Sequence, residues 1–175
     1  MAANIVRRGA ALTLALTSAV ILTAAASGAS GAKSLAQRFT LSSTTIRGVD
    51  KPIQVVATGP ISGHGTVSAP KQASRHDHLT LHFAKGTVIL DVRETSLAVH
   101  PDLSACTAKV VARGTFKITG GSGSFHGATG TGTFNRQSTM IGERSPSGAC
   151  ASRNTPPKAV YTTSTLVGKA ALPTG

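Results

Sequence analysis

Three histidines, at positions 76, 78 and 82, lie within one short segment and share a parity. In an extended strand, residues two or four apart point to the same face, and two imidazoles placed in this way are a workable pair of metal ligands. The alternate residues Leu79, Leu81 and Phe83 are apolar, so they should enter the core and leave the histidines in water. Since neither a carboxylate nor a cysteine completes a recognisable ligand set, His76, His78 and His82 remain weak candidates, and we predict no metal or other cofactor.

Acid–base chemistry would need a polar side chain inside the fold. Asp91 would be a plausible general base if it faced the interior, because burial would raise its pKa. The alternative places Asp91 on the surface, paired with Arg93 or another basic neighbour. Tyr161 and the histidines are the other candidates for a buried polar group. The sequence leaves open whether the protein is an enzyme.

Several other kinds of site lack their sequence patterns. The chain has no Gly-x-Ser-x-Gly nucleophile elbow, and its glycine-rich stretch 120–132 lacks the Gly-Lys-(Ser/Thr) ending of a phosphate loop. Phe125 occupies the place of the aspartate found in calcium-binding glycine-rich repeats. These observations argue against a serine hydrolase, a nucleotide-binding loop and a calcium-binding repeat.

The chain is strongly basic, with 18 Lys and Arg against 6 Asp and Glu. A basic surface favours anionic partners, but the basic residues are spread from Lys33 to Lys169 without a run of three, which is typical of a solvated exterior. A cationic protein that adheres to the cell envelope is the alternative. Specific nucleic-acid binding is not expected, because 5 Phe and 1 Tyr provide few rings for stacking bases.

The first 32 residues have the layout of a secretory signal peptide. Arg7 and Arg8 precede an apolar run over 9–26, and small residues occupy 27–32, so cleavage after Ala26 or Ala32 is expected. An uncleaved membrane anchor is the competing interpretation, but the run is barely long enough and contains several hydroxyl residues. We therefore predict a secreted protein whose mature form has no integral membrane span.

Residues 33–175 have the length of a single domain. This part of the chain holds two cysteines, Cys106 and Cys150, and an exported protein is expected to join them in a disulfide. Closing a loop of that length should stabilise the fold by about 4 kcal/mol in the chain-entropy model.

Alternating apolar residues and glycine- or proline-rich turns predict a chain built of strands. The expected strands cover 38–47, 53–58, 61–68, 76–83, 87–93, 109–119, 125–134 and 159–168. No helix is predicted after residue 32. Many short strands without helices indicate an all-β antiparallel barrel or sandwich, and the three glycines at 127, 130 and 132 favour the strong coiling of a barrel.

The segment from Gly114 to Phe134, GTFKITGGSGSFHGATGTGTF, resembles the strand–turn–strand hairpin of the allene oxide cyclase and dirigent barrel superfamily. The matching positions include Phe116, Gly120, Gly121, Gly123, Phe125, Gly127 and Gly130. The match covers about a seventh of the chain. It implies a calycin-like, single eight-stranded antiparallel barrel with a central, mostly apolar cavity, and it gives these residues a structural role.

Plant members of that superfamily cyclise an unstable fatty-acid epoxide or direct the coupling of phenol radicals, but the resemblance places none of their catalytic residues on this sequence. The sequence therefore predicts a secreted barrel that binds a small apolar or amphipathic molecule in its interior. A cyclase-like or isomerase-like enzyme of the same fold, and a cationic envelope-adhesion or structural protein, are the alternatives.

Overall fold

The computed structural model describes residues 33–69, 75–151 and 155–173. The predicted signal segment, residues 1–32, lies outside these ranges. Within them nearly all regular structure is β-strand, apart from one 3-10 turn, which confirms the all-β class. The described part of the chain contains no helix of the length and apolar character that a bilayer span requires.

Nine strands follow one another along the chain. They are β1 (Leu35–Ile46), β2 (Val49–Asp50), β3 (Ile53–Thr58), β4 (Gly63–Ser68), β5 (His76–Phe83), β6 (Gly86–Asp102), β7 (Thr107–Gly121), β8 (Thr129–Ile141) and β9 (Ala159–Ala171). The 3-10 turn η1 (Gly123–Phe125) lies between β7 and β8.

Eight of the strands close into an antiparallel barrel. Strands β1 and β3 to β9 each pair with the next barrel strand in the chain, and β9 pairs back with β1. This closing ladder runs from Leu35 opposite Ala170 to Ile46 opposite Ala159. Strand β2 lies outside the barrel and extends the sheet beside the end of β1. The predicted eight-stranded barrel is confirmed.

The largest departure from the predicted strands is in β6, which continues to Asp102 instead of ending at Arg93. A bulge between Glu94 and Ser96 shifts the pairing with β7. Because an extra residue reverses the alternation, the apolar residues change from even to odd positions at this point. The even-numbered apolar pattern therefore ends at the bulge, although the strand continues.

Two other strands begin later than predicted. Strand β4 starts at Gly63, because Ile61 lies in the preceding loop and is fully buried there. Strand β8 starts at Thr129, because Phe125 belongs to η1. In both places the apolar residue read as part of a strand packs into the core from a loop.

Inward-facing side chains fill one end of the barrel. Phe39 and Phe116 meet edge to face with ring centroids 6.2 Å apart, and Phe83 and Phe125 do so at 5.7 Å. Other fully buried residues around them include Leu81, Val88, Leu90 and Ile118. Since η1 and the β3–β4 loop contribute Phe125 and Ile61 to this core, the filled end is also covered by loops.

Gln37 is the buried polar residue of this end and holds the covering loop in place. Its Nε2 donates to the carbonyl of Ile61 at 2.9 Å, and its Oε1 accepts from the Ile61 N–H at 2.9 Å. The side-chain amide thus satisfies both backbone groups of a residue that is shielded from water.

Replacing Gln37 with Leu should destabilise the protein by about 2 to 4 kcal/mol, because two buried backbone groups lose their partners. Urea unfolding measures the change. Gln54→Leu is the matched control, since Gln54 is exposed and should change stability by no more than about 0.5 kcal/mol. Equal stability of the two variants would contradict the role given to Gln37.

Glycines on β7 and β8 lie opposite large inward side chains. Gly114 is paired with Phe134, Phe116 with Gly132, and Ile118 with Gly130. A Cβ at Gly132 would lie 2.5 Å from the ring carbon Cε1 of Phe116 and 2.3 Å from the carbonyl oxygen of Val167. The backbones of this hairpin and of the neighbouring strand β9 therefore approach closely at these glycines.

Gly132→Ala should destabilise the barrel by about 1 to 3 kcal/mol, because the added methyl group has to displace a buried ring and a neighbouring strand. Gly120→Ala is the control, since a Cβ there meets nothing within 4 Å. Thermal unfolding of both variants separates the two cases. A Gly132→Ala variant as stable as the parent would show that the glycine is not required by packing.

Candidate functional site

The end of the barrel opposite Gln37 holds an interior cavity of about 300 Å³. Its apolar lining includes Leu41, Ile53, Val67, Leu79, Val92, Phe134 and Leu166. Polar residues also line it, namely Ser42, Ser43, Asp77, Glu94, Arg136, Thr162 and Ser164. The cavity therefore combines an apolar wall with hydroxyl, carboxylate and guanidinium groups.

An ion pair joins two strands across this cavity. Arg136 Nη2 on β8 donates to Glu94 Oε2 on β6 at 2.7 Å, and only 10% of the Glu94 side chain is exposed. Strand β7 lies between them and contributes Gly114 and Ala112, which pair with Glu94 and Arg136 respectively. Because these two residues are small, the long side chains on either side can meet above them.

Asp77 is the second carboxylate of the cavity. It pairs with Val92 in the β5–β6 ladder, and Glu94 is the next inward residue on β6. Asp77, Glu94 and Arg136 are not among the site residues predicted from the sequence. The sequence does indicate an inward position for two of them. Asp77 has the parity of Leu79 and Leu81, and Arg136 has the parity of Phe134.

The two residues considered for an interior catalytic role both lie on the outside of the barrel. Asp91 has the opposite parity to the buried Leu90, and its Oδ1 pairs with His76 Nε2 at 2.5 Å. Tyr161 is 48% exposed and has the opposite parity to Thr162, which lines the cavity. Asp91 therefore takes the surface alternative, with His76 instead of Arg93 as its partner, and neither side chain is among the residues that line the cavity.

The three predicted histidines are exposed on the outer face of β5, as the parity argument requires. His76 and His78 lie with ring centroids 5.3 Å apart, while His82 Nε2 is 2.9 Å from Ser68 Oγ. Among the described residues, no three His, Cys, Asp or Glu side chains are grouped so that they could hold a metal ion.

Beyond the cavity, β6 and β7 continue as a long hairpin whose tip is tied down. The predicted disulfide is confirmed, since Cys106 at the tip is bonded to Cys150 with their Cα atoms 5.4 Å apart. Arg144, in the loop that carries Cys150, donates to the carbonyl of Ser104 and to that of Gly148. The disulfide therefore fixes the β8–β9 loop to the β6–β7 turn.

Asp102 caps the same turn. Its Oδ1 accepts hydrogen bonds from the Ser104 hydroxyl at 2.7 Å and from the Ser104 and Ala105 N–H groups at 3.0 Å. The Ser104 hydroxyl, followed by the Ala105 N–H, lowers the pKa of Asp102 below its ordinary value of 3.8.

Because the pKa of Asp102 is lowered in the folded protein, its carboxylate stabilises the turn fully above pH 3.8. This stabilisation is lost as the pH falls through the folded-state pKa. We therefore expect amide exchange at Ser104 and Ala105, corrected for its intrinsic pH dependence, to lose protection in acid. Asp102→Asn should remove this pH dependence, because an amide does not titrate. Hydrogen-exchange NMR measures both proteins, and an unchanged acid response in the variant would assign the effect to another group.

The arrangement provides an apolar chamber with hydrogen-bonding groups and two carboxylates able to accept a proton. No protein-family model, curated protein or solved structure matches this chain.

Proposed function

We propose that the protein binds a small, neutral, amphipathic molecule in the open end of its barrel. The observation that carries this proposal is the cavity of about 300 Å³, in which an apolar wall adjoins the Arg136–Glu94 pair. Ligand sites are typically concave and mostly apolar, with a few polar groups that fix the orientation of the ligand.

The size of the cavity limits the ligand. A volume of about 300 Å³ equals that of roughly ten water molecules in the liquid and lies at the lower end for ligand sites. The occupant should therefore be a compact molecule, such as a single substituted ring or a short branched chain, with the rest of any longer molecule outside the mouth.

The polar lining indicates the head group. Among the described lining residues, Asp77 and Glu94 carry negative charge and Arg136 carries positive charge. Because the Arg136–Glu94 pair is partly buried, an anionic head group would compete with Glu94 for the guanidinium and would leave that carboxylate uncompensated. A hydroxyl or carbonyl head group can instead bond to Arg136, Ser164 or Thr162 without breaking the pair.

We also infer export and membership of the allene oxide cyclase and dirigent superfamily. The Cys106–Cys150 disulfide is compatible with an oxidising compartment, and the layout of residues 1–32 supports a cleaved signal peptide. The eight-stranded barrel and the glycine pattern of the β7–β8 hairpin support the family assignment.

A cyclase-like or isomerase-like activity is the second candidate function. It is favoured by Asp77 and Glu94, two carboxylates that line the same cavity. Either would act as the general base that removes a proton from a ligand held against the apolar wall. Asp91 and Tyr161, on the outer face, would take no part.

Filling the cavity should abolish binding while the barrel still folds. Val67→Phe places a ring in the cavity, and we expect at least a tenfold loss of affinity for a small apolar fluorescent dye, measured by titration. Val56→Phe is the matched control, because Val56 is 41% exposed and faces outward from the neighbouring strand β3.

Mass spectrometry of small molecules released from the purified parent protein identifies the natural occupant. Its absence from Val67→Phe and its presence in Val56→Phe would support the proposal. Equal dye affinity in both variants would overturn it.

A further inference from the structure

The outer face of the barrel carries a second concave surface, distinct from the interior cavity. Between Thr95, at the bulge in the middle of β6, and strand β9 it forms an open groove of about 750 Å³. The groove is lined by Thr95, Arg113, Gly114, Thr115, Thr133, Phe134, Asn135, Gln137, Thr163, Thr165 and Val167. The bulge in β6 at its margin increases the local bend of the sheet.

Most of the side chains in this outer groove carry hydroxyl or amide groups. They lie in register, because Arg113 pairs with Asn135 and Asn135 with Thr165. Neighbouring strands are about 4.8 Å apart, and residues of one face repeat about every 6.8 Å along a strand. The groove therefore presents a regular two-dimensional array of hydrogen-bonding groups.

The charges around the outer groove are mostly positive, and one outer-face carboxylate, Asp91 on β6, lies opposite Lys117 and bonds to His76. None of the six acidic residues of the chain lies in β7, β8, β9 or β1. The exposed cations on the outer face of these four strands are Lys109, Arg113, Lys117, Lys169 and Arg38. Basic residues are thinly spread in the sequence, but the barrel gathers these five around one polar surface.

One polar atom beneath the groove has no hydrogen-bond partner among the described residues. Asn135 Oδ1 is buried and accepts no hydrogen bond from the described residues. Since this atom is shielded from solvent, it cannot itself bond to a ligand in the groove, and the exposed hydroxyl and amide groups of the array provide the hydrogen bonding. Tyr161, the outward residue that precedes Thr163 on β9, adds one exposed ring beside the array.

We propose that this outer groove binds an acidic polysaccharide, a chain that combines regularly spaced hydroxyl groups with carboxylates or other anionic groups. The hydroxyl and amide array matches the sugar hydroxyls, and the surrounding cations match the acidic groups. A nucleic acid is the poorer match, because among the described residues Phe134 of the lining is buried and Tyr161 is the one exposed phenyl or phenol ring beside the groove on which a base could stack. This inference does not depend on the occupant of the interior cavity.

The experiment compares four polymers by calorimetric titration of the purified protein. Polygalacturonate carries both carboxylates and hydroxyls, dextran carries hydroxyls alone, polyglutamate carries carboxylates alone, and a single-stranded oligonucleotide carries phosphates and bases. We expect polygalacturonate to bind at least tenfold more tightly than any of the other three at physiological salt. Part of that preference should persist at high salt, because the hydrogen bonds are screened less than the charge attraction.

Two double variants separate the contribution of the cations to binding from that of the hydroxyl groups. Arg113→Gln with Lys117→Gln removes two cations, and Thr133→Val with Thr165→Val removes two hydroxyls while keeping the β-branched shape. Each double variant should weaken polygalacturonate binding at least fivefold. The controls are Lys85→Gln and Thr66→Val, which alter exposed residues outside these four strands and should leave binding unchanged.

An unchanged thermal unfolding temperature verifies that each variant is folded. If the double threonine variant is unstable, the Arg113→Gln/Lys117→Gln variant by itself tests the proposal. Equal binding of polyglutamate and polygalacturonate would reduce the effect to net charge and overturn the proposal. Preference for the oligonucleotide would assign the groove to nucleic acid instead. Absence of binding, or equal losses in the control variants, would also overturn it.

Discussion

The reciprocal fit of glycines and large side chains between β7 and β8 sets how closely the strands of this barrel can approach. Phe116 lies over Gly132, and Phe134 lies over Gly114. A barrel of eight strands has room in its interior for little more than its own side chains. The glycines provide that room on one strand for the ring carried by the other, and the sheet coils until β9 meets β1.

The same fit makes the two ends of the barrel different. At one end, Phe39 packs on Phe116 and Phe83 on Phe125, and Gln37 bonds to Ile61 of the β3–β4 loop that covers them. At the other end, the small residues Ala112 and Gly114 leave space beneath the Arg136–Glu94 pair. A filled, closed end supplies stability, and an open end with polar groups supplies a place for a ligand.

Charge is distributed in three distinct regions. Asp77 and Glu94 line the cavity, and Asp102 caps a turn near the disulfide. The outer faces of β7, β8, β9 and β1 carry cations and no acidic residue. The barrel thus separates a small, mixed-charge interior from a broad, basic and hydroxyl-rich exterior, and the two surfaces suit different classes of molecule.

The sequence by itself determined the strand-forming segments, the all-β class and the Cys106–Cys150 pairing, because alternation and cysteine content are local or compositional properties. It placed the outward histidines correctly for the same reason. Only the tertiary structure decided that β6 extends past its bulge and that Asp91 faces outward while Asp77 and Glu94 line the cavity. Parity fixes which residues share a face. Register, bulges and barrel closure decide which face of a strand points inward and which residues meet across neighbouring strands. Contacts between segments distant in the sequence set all three.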